Sequence, residues 1–102
     1  MDWLDRYLDH LRVERGLSAS TLEAYAHDLG RFCAYLGPRV KQVKTLKTAD
    51  VAGFLLMLSQ QQGLSARSQA RTLSALRGFF RFLVAERVLS EDPALLIEAP
   101  KL

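Results

Sequence analysis

Residues 65–87 read SARSQARTLSALRGFFRFLVAER, and their spacing predicts one long helix from Ala66 to Arg87 with Ser65 as its N-cap. At about 100° per residue, the larger apolar side chains share one arc, which predicts a buried face. The members of this arc are Ala70, Leu73, Leu76, Phe79, Phe80, Leu83 and Val84. The opposite arc is basic and carries small residues that would let another surface approach closely. It consists of Arg67, Arg71, Ser74, Arg77, Gly78 and Arg81.

One aromatic residue of this helix does not fit the two arcs. Phe82 projects beside the basic arc rather than into the predicted core. Because a large apolar side chain in such a position is exposed unless it is covered, we expect another surface to pack on it.

The same three- and four-residue spacing predicts three further main helices and one short one. The first begins at the N-cap Asp2 and ends at Gly16, and the second begins at Ser18 and ends at Gly37. A capping box of Ser20 and Glu23 is an alternative start for the second helix. The third runs from the cap Thr48, with Asp50 in its first turn, to Gly63, and a short last helix covers Ala94 to Ile97. Pro38 to Lys47 is predicted to be an exposed loop.

Strand signals are absent, so the sequence predicts an all-α fold. Four residues lie at the centres of the apolar arcs of the second and fourth helices, and we expect them to meet in one core. They are Leu29, Phe32, Leu76 and Phe80. A chain of 102 residues with 49% hydrophobic residues fits a single domain with its own core.

The composition excludes several classes of protein. The single cysteine, Cys33, excludes an internal disulfide framework, and its place on the apolar stripe of the second helix predicts an inert thiol. No apolar run approaches the roughly 18 residues of a membrane span, so we expect a soluble protein with no membrane partner.

Charge is distributed unevenly along the chain. Residues 31–88 carry ten basic and two acidic residues, a net charge of +8, whereas residues 1–30 carry −3 and residues 89–102 carry −2. Such an asymmetry indicates a polyanionic partner on one side of the molecule, and a solvated basic face without a partner is the alternative.

Groups that would support catalysis by this chain are missing from the sequence. There is no glycine-rich phosphate loop, and His10 and His27 lie on different helices. His27 and Asp28 could mimic a catalytic pair, but a solvated surface histidine is the favoured interpretation. We therefore expect no catalytic residue, no metal site and no cofactor in this chain.

Two interpretations of the basic helix follow from the residues. The segment from Leu58 to Leu73, with its turn at Gly63, is compatible with a helix-turn-helix of a transcription regulator, although the fourth helix is about twice the usual length. A helical module that binds other proteins is a second possibility, which the acidic first helix and Phe82 would suit.

Four phrases in series resemble the N-terminal core-binding domain of tyrosine recombinases of the phage-integrase family, closest to the bacterial Xer type. They are Leu17-Ser18-Ala19-Ser20-Thr21-Leu22 with Tyr25, Asp28-Leu29 and Phe32; Leu64-Ser65-Ala66-Arg67-Ser68 with Leu73-Ser74-Ala75-Leu76-Arg77 and Phe79-Phe80-Arg81-Phe82-Leu83; Asp92-Pro93-Ala94; and Pro100-Lys101. The likeness extends over essentially the whole chain. Where the family has Asn-Pro near its exit, this sequence has Asp92-Pro93, and both residue types cap helices.

The resemblance implies an orthogonal, SAM-like bundle of four main helices and a short fifth that forms half of a C-shaped clamp on DNA. In the family, the second and fourth helices cross the major groove of the core recombination site. The catalytic half of the family carries an arginine–histidine–arginine set and a nucleophilic tyrosine, and none of these motifs occurs in this sequence. Residues 1–98 would then be the DNA-binding domain, and residues 99–102 the start of a linker to an absent catalytic domain of the same polypeptide.

The candidate DNA-binding residues come from the basic helix and from the start of the second helix. They are Arg67, Arg71, Ser68, Ser74, Arg77, Arg81, Ser20 and Thr21. Ser20 and Thr21 would offer hydroxyl and free N–H groups to a phosphate, or act as a plain cap. The lysines of the connector, Lys41, Lys44 and Lys47, are nonspecific candidates. The resemblance also implies other recombinase protomers as partners and a bacterial cytoplasmic location at the nucleoid.

Overall fold

The computed structural model describes residues 2–99, without the side chains of residues 39–42. The predicted linker, residues 99–102, therefore lies outside the described residues except for Ala99. The described chain forms four α-helices and one 3₁₀ helix and contains no strand, which confirms the all-α prediction. In order they are α1 (Trp3–Glu14), α2 (Ala19–Leu36), the 3₁₀ helix (Gly37–Thr45), α3 (Thr48–Gln60) and α4 (Ala66–Ala85).

The longest helix, α4, packs against each of the other three α-helices. Its predicted apolar arc is buried at Leu73, Leu76, Phe79, Phe80 and Leu83, and two small residues beside the arc, Thr72 and Ala75, are buried as well. The buried surface of α4 is therefore wider than the apolar arc alone predicts, because three other helices pack against it.

Aromatic contacts join three helices at the centre of the core. The ring of Phe32 on α2 lies edge-on to Phe54 of α3 and to Phe80 of α4, with ring centroids 5.2 and 5.8 Å apart. Leu29 and Leu76 are fully buried in the same cluster. The prediction that Leu29, Phe32, Leu76 and Phe80 share one core is confirmed.

The joint between α1 and α2 follows the predicted signals. Gly16 has a φ of +60°, the left-handed conformation that lets the N–H of Leu17 reach back to the carbonyl of Leu11. Ser18 then caps α2, and its Oγ accepts the N–H of Thr21 at 3.2 Å. The alternative start at Ser20 is wrong, because Ser20 already lies inside the helix.

The joint between α3 and α4 repeats this arrangement residue for residue. Gly63 has a φ of +61°, and the N–H of Leu64 donates to the carbonyl of Leu58. Ser65 caps α4 and accepts the N–H of Ser68, again at 3.2 Å. The two segments, GLSAST at 16–21 and GLSARS at 63–68, thus build two helical hairpins with the same local chemistry.

The segment predicted as an exposed loop, Pro38 to Lys47, instead contains most of the 3₁₀ helix. Pro38 is compatible with the first turn because its fixed φ is already helical and its missing N–H is not needed there. Val43 and Leu46 are three residues apart and both pack against the core, which matches the three-residue turn of a 3₁₀ helix. This apolar pair holds the connector against the bundle.

The start of α3 is shifted by one residue from the predicted cap. Thr48 is the first helical residue, and Lys47 occupies the cap position. The carboxylate of Asp50 accepts the backbone N–H of Lys47 at 2.9 Å. Asp50 does lie in the first turn, as predicted, and its reach back to Lys47 fixes where the helix begins.

The predicted short last helix is wrong, since residues 93–96 form successive turns. The N–H groups of Leu95 and Ile97 reach only three residues back, to Asp92 and Ala94. A single turn is too short to offset the cost of starting an α-helix. The predicted end of α4 is also two residues too late, because the helix ends at Ala85.

The aromatic centre of the core generates a stability test. Phe80→Ala is expected to lower the free energy of unfolding by about 3–5 kcal/mol, because a fully buried ring leaves a cavity between α2 and α4. Urea denaturation followed by circular dichroism measures this loss. Leu56→Ala, at a position on α3 that is 56% exposed, is the matched control and should cost under about 1 kcal/mol. Equal losses in the two variants would contradict the assigned core.

Candidate nucleic-acid interface

The outward side of α4 carries a row of residues at four- and three-residue steps. We call the row of Arg67, Arg71, Ser74, Gly78 and Arg81 the cationic face. Its three arginines and Ser74 are exposed, and only Gly78 is half-buried. The structure therefore brings together most of the residues predicted on the basic arc and leaves them open to solvent.

Arg77 departs from this row. It is half-buried, and its Nη2 donates a hydrogen bond to the backbone carbonyl of Ile97, twenty residues further along the chain. The side chain thereby ties the C-terminal turns to α4 instead of lining the cationic face. Sequence reasoning placed it with the other arginines because the fate of the C-terminal segment is not visible in the helical spacing.

Arg71 makes the most extensive polar contact of the cationic face. Its Nε and Nη2 donate to the two carboxylate oxygens of Asp28 on α2, each at 3.0 Å. The carboxylate is fully buried, while 51% of the Arg71 side chain is exposed. Asp28 raises the pKa of Arg71 through these hydrogen bonds and through its negative charge, so the guanidinium stays charged.

A second arginine completes this cluster. The Nη2 of Arg31, which is 20% exposed, donates to Asp28 at 3.1 Å and weakly to the hydroxyl of buried Thr72 at 3.4 Å. Asp28 is therefore part of a structural ion pair, which leaves His27 as an exposed neighbour without that carboxylate. Sequence reasoning missed the burial of Asp28, although the spacing of Asp28 from Tyr25 and Phe32 places it on the apolar stripe of α2.

The cluster also changes what a substitution at Arg71 would do. From exposure alone, removal of Arg67 and Arg71 together is expected to leave the fold unaffected. For Arg71 the structure instead predicts a loss of stability, because removal of this side chain leaves a buried carboxylate with Arg31 as its remaining cation. Arg67 is exposed and forms no ion pair between helices among the described residues, so it can be tested without disturbing one.

The hydroxyl-bearing candidates lie at the two helix starts. The N–H groups of Thr21 and Ser68 donate to the hydroxyls of the caps Ser18 and Ser65. The prediction that the N–H of Thr21 is free to bind a phosphate is therefore wrong. Each cap hydroxyl also donates to the hydroxyl of the residue three positions on. Ser20 is exposed at the second position of α2. The cap and the phosphate roles therefore fall on different groups.

A cleft with a volume of about 350 Å³ opens along the C-terminal half of the cationic face. Gly78 and Ser74 form part of its wall. Two basic side chains also line it, Arg81 on α4 and Arg15 just after α1. Tyr25 of α2 lines the same cleft. Sequence reasoning missed both residues. Arg15 lies in an acidic segment and so does not stand out as part of a basic patch, and Tyr25 fits the apolar stripe of α2.

The surface that covers Phe82 comes from this chain. The rings of Tyr7 and His10 on α1 lie 5.3 and 5.1 Å from its ring. The expectation that something packs on Phe82 is thus met within the fold, and His10 is half-buried through this contact. Phe82 is consequently half-buried, and the rest of its ring lines the cleft.

The buried tyrosine of this region, Tyr7, is not activated as a nucleophile. Burial raises the pKa of Tyr7, and Tyr25 adds to the effect, while Arg81 and Arg15 oppose it. Burial likewise raises the pKa of the Cys33 thiol, with a further contribution from Asp2. Higher pKa values favour the protonated, less reactive forms of both groups.

Two further chemical properties of the described residues bear on function. Among residues 2–99, no three histidine, cysteine, aspartate or glutamate side chains converge as metal ligands would. Within the same range, no helix has the length and apolar character needed to cross a membrane. Lys44 and Lys47 line a separate crevice beside Glu91 and Asp92 that contains no residue of the cationic face. The side chain of Lys41 lies outside the described residues.

Comparison with known proteins identifies the class. Over residues 4–87 the sequence matches the family described as phage integrase, N-terminal SAM-like domain. The chain belongs to this family, and the resemblance noted from the four sequence phrases is confirmed. No solved structure matches the chain significantly.

The curated relatives are Xer recombinases. The chain is 41% identical over 102 residues to tyrosine recombinase XerD of Listeria monocytogenes serotype 4b, a match that covers 98% of this chain and 34% of that protein. It is 40% identical over 98 residues to XerD of Agrobacterium fabrum, covering 96% and 29%. Tyrosine recombinase XerC of Pseudomonas syringae pv. syringae is 43% identical over 100 residues, covering 96% and 33%. The chain thus spans about a third of the length of these relatives.

The wall of the cleft generates a second stability test. A Cβ at Gly78 would collide with the hydroxyl of Tyr7, which is itself packed between aromatic rings. Gly78→Ala is therefore expected to destabilise the chain by about 1 kcal/mol, since overpacking exceeds the gain in helix propensity. In a Tyr7→Phe background the hydroxyl is gone, and the same substitution should stabilise by up to about 1 kcal/mol.

Urea denaturation of the four chains, wild type, each single variant and the double variant, measures both effects. A change of the same sign and size in the two backgrounds would show that the Tyr7 hydroxyl does not limit the space at Gly78.

Proposed function

We propose that this chain is the DNA-binding N-terminal domain of a site-specific tyrosine recombinase and that it clamps the core recombination site. The observation that carries the proposal is the exposed cationic face of α4, in a chain whose relatives are named tyrosine recombinases. None of the five residues that form the cationic face is acidic. Such a surface suits the phosphates of DNA.

The dimensions of α4 fit this role. A helix with its side chains is about 10–12 Å wide, and the major groove of B-DNA is about 12 Å wide. Arg67 lies in the first turn of α4 and Arg71 one turn later, so both reach the same stretch of groove. Most of the contacts are proposed to be with phosphates and to fix the register, with a few to base edges.

The other candidate residues are assigned secondary parts in the same interface. Ser74 and Ser68 supply hydroxyls along α4, and Arg81 with Arg15 supplies positive charge at the cleft. Ser20 offers an exposed hydroxyl at the start of α2 and Thr21 a half-buried one, where the helix dipole attracts a phosphate. Arg77 is assigned no contact with DNA, because it is bonded to Ile97.

The partners follow from the relatives and from the length of the chain. Since the chain spans about a third of the relatives, the remaining two thirds of a parent protein would carry the catalytic domain on the far side of the DNA. Residues 99–102 would begin the link to that domain. Other recombinase protomers would occupy the second half of a partly palindromic core site, at the nucleoid of a bacterial cell, in recombination of a chromosome or integration of a mobile element.

The two alternative functions lose their specific support. The turn before α4 resembles a helix-turn-helix, but the same turn also precedes α2, so it is a property of both hairpins. Phe82, which suggested a protein-binding surface, is covered by Tyr7 and His10. The cationic face favours DNA over either alternative.

The chain alone is expected not to cut DNA. Its buried tyrosine is not activated, since burial raises the pKa of Tyr7, and the sequence lacks the family's catalytic set. Incubation with supercoiled plasmid should give no relaxation and no protein–DNA adduct on a denaturing gel. A covalent adduct that disappears in a Tyr7→Phe, Tyr25→Phe or Tyr35→Phe variant would overturn this expectation.

Binding itself is tested at Arg67. Arg67→Ala should reduce the slope of log affinity against log salt by about 0.9, as expected for the loss of one phosphate contact on duplex DNA. A fluorescein-labelled duplex, selected by the wild-type chain from a random pool, reports the affinity across a salt series by anisotropy. If Arg67 instead contacts a base, the variant should lose about 1–3 kcal/mol on the selected duplex and little on a scrambled one.

The matched control is Arg12→Ala. Arg12 carries the same charge but lies on α1 in a crevice with Asp5, Asp9 and Glu23. Its removal should leave the salt slope unchanged, and circular dichroism confirms folding of both variants. Equal effects at the two positions would exclude the cationic face as the DNA-binding surface.

A further inference from the structure

The buried carboxylate of Asp28 has a geometry that goes beyond stabilising the bundle. Asp28 connects α2 to α4 across a separation of 43 residues, through the two donors on one edge of the Arg71 guanidinium. A guanidinium has five N–H groups, and two of them bond Asp28, which leaves three on Nη1 and Nη2. No other acceptor among the described side chains and backbone takes these three.

The remaining N–H groups belong to the outward half of an exposed side chain. The Arg71 side chain is 51% exposed, and Asp28, on its inner edge, is fully buried. Since the guanidinium is planar, fixing its inner edge also fixes the direction of its outer edge. That outer fork matches the spacing of two phosphate oxygens or of the O6 and N7 of guanine.

The charges of the cluster leave Arg71 attractive to DNA. Two arginines surround one aspartate, so the cluster of Asp28, Arg31 and Arg71 retains one positive charge. The negative group lies behind the guanidinium and away from solvent, where it would not meet a phosphate directly. Arg31 shares the carboxylate and thereby offsets part of the cost of burying it.

We propose that Asp28 is a positioning residue for DNA recognition, which holds the Arg71 guanidinium with its outer edge directed at the DNA. The inference rests on the proposed function of α4 and adds to it a residue that does not touch DNA. A flexible arginine loses side-chain freedom when it binds, and an arginine already fixed by Asp28 loses less. The Arg71 side chain is ordered when the protein folds, so DNA binding is tighter than it would be with a flexible arginine.

The substitution Asp28→Asn distinguishes positioning from a simple effect of charge, because the two predict opposite changes in DNA affinity. Asp28→Asn removes a negative charge beside the interface, so electrostatics alone would strengthen DNA binding and steepen the salt dependence. If Asp28 positions Arg71, the same substitution weakens binding, because an amide accepts through one oxygen and leaves the guanidinium unfixed. We expect affinity for the selected duplex to fall by roughly fivefold to tenfold.

A double-mutant cycle tests whether the effect passes through Arg71. Affinity for the selected duplex is measured for wild type, Asp28→Asn, Arg71→Ala and the double variant, at a temperature where circular dichroism shows all four folded. Asp28→Asn should weaken binding in the wild-type background and change it by less than about twofold once Arg71 is absent. In the matched control background Arg67→Ala, Asp28→Asn should have its full effect.

Arg71→Lys keeps the test decisive if Asp28→Asn does not fold. Lysine retains the charge and can pair with Asp28, but it lacks an outward fork, so binding should fall nearly as far as in Arg71→Ala. Wild-type affinity in Arg71→Lys, stronger binding in Asp28→Asn, or an equal effect of Asp28→Asn with and without Arg71 would each overturn the proposal. If Arg67→Ala weakens binding while the Asp28 variants do not, positioning is excluded and the proposed function stands. If the wild-type chain does not bind DNA, both are excluded.

Discussion

The contact of Phe32 with two other rings holds the bundle together. Its ring meets Phe54 of α3 and Phe80 of α4, so one side chain of α2 joins both hairpins. Once this contact is made, the buried side of α4 must face inward, and the residues on its far side must face solvent. The cationic face is therefore a geometric consequence of where Phe80 is buried, and the C-terminal cleft exists because α1 packs alongside the same helix.

Features that depend on local chemistry could be predicted from the sequence. The caps Asp2, Ser18 and Ser65 act within three residues, and each is where the pattern placed it. The buried face of α4 follows from its period. The connector and the C-terminal turns could not be predicted, because Val43, Leu46 and Ile97 are held by contacts with distant parts of the chain.

The candidate site likewise contains features that follow from local sequence and features that depend on distant contacts. Exposure of Arg67 and Arg81 follows from helical period alone, whereas the partners of Arg71 and Arg77 are 43 and 20 residues away in sequence. Two arginines that look equivalent in the sequence therefore have different surroundings: one is half-buried against a backbone carbonyl, and the other remains exposed against a carboxylate. Tertiary contacts decide which cations of a basic helix are available to a ligand.

The difference in sequence separation also sets an order of events during folding. The joints at Gly16 and Gly63 close through hydrogen bonds that span six residues, so each hairpin can form early and rapidly. The bond between Asp28 and Arg71 requires both hairpins to have docked, and it is expected to form late. A chain that has folded only its hairpins would possess all its helices yet lack a fixed Arg71. Helix content measured during refolding should therefore recover before the surface that is proposed to bind DNA.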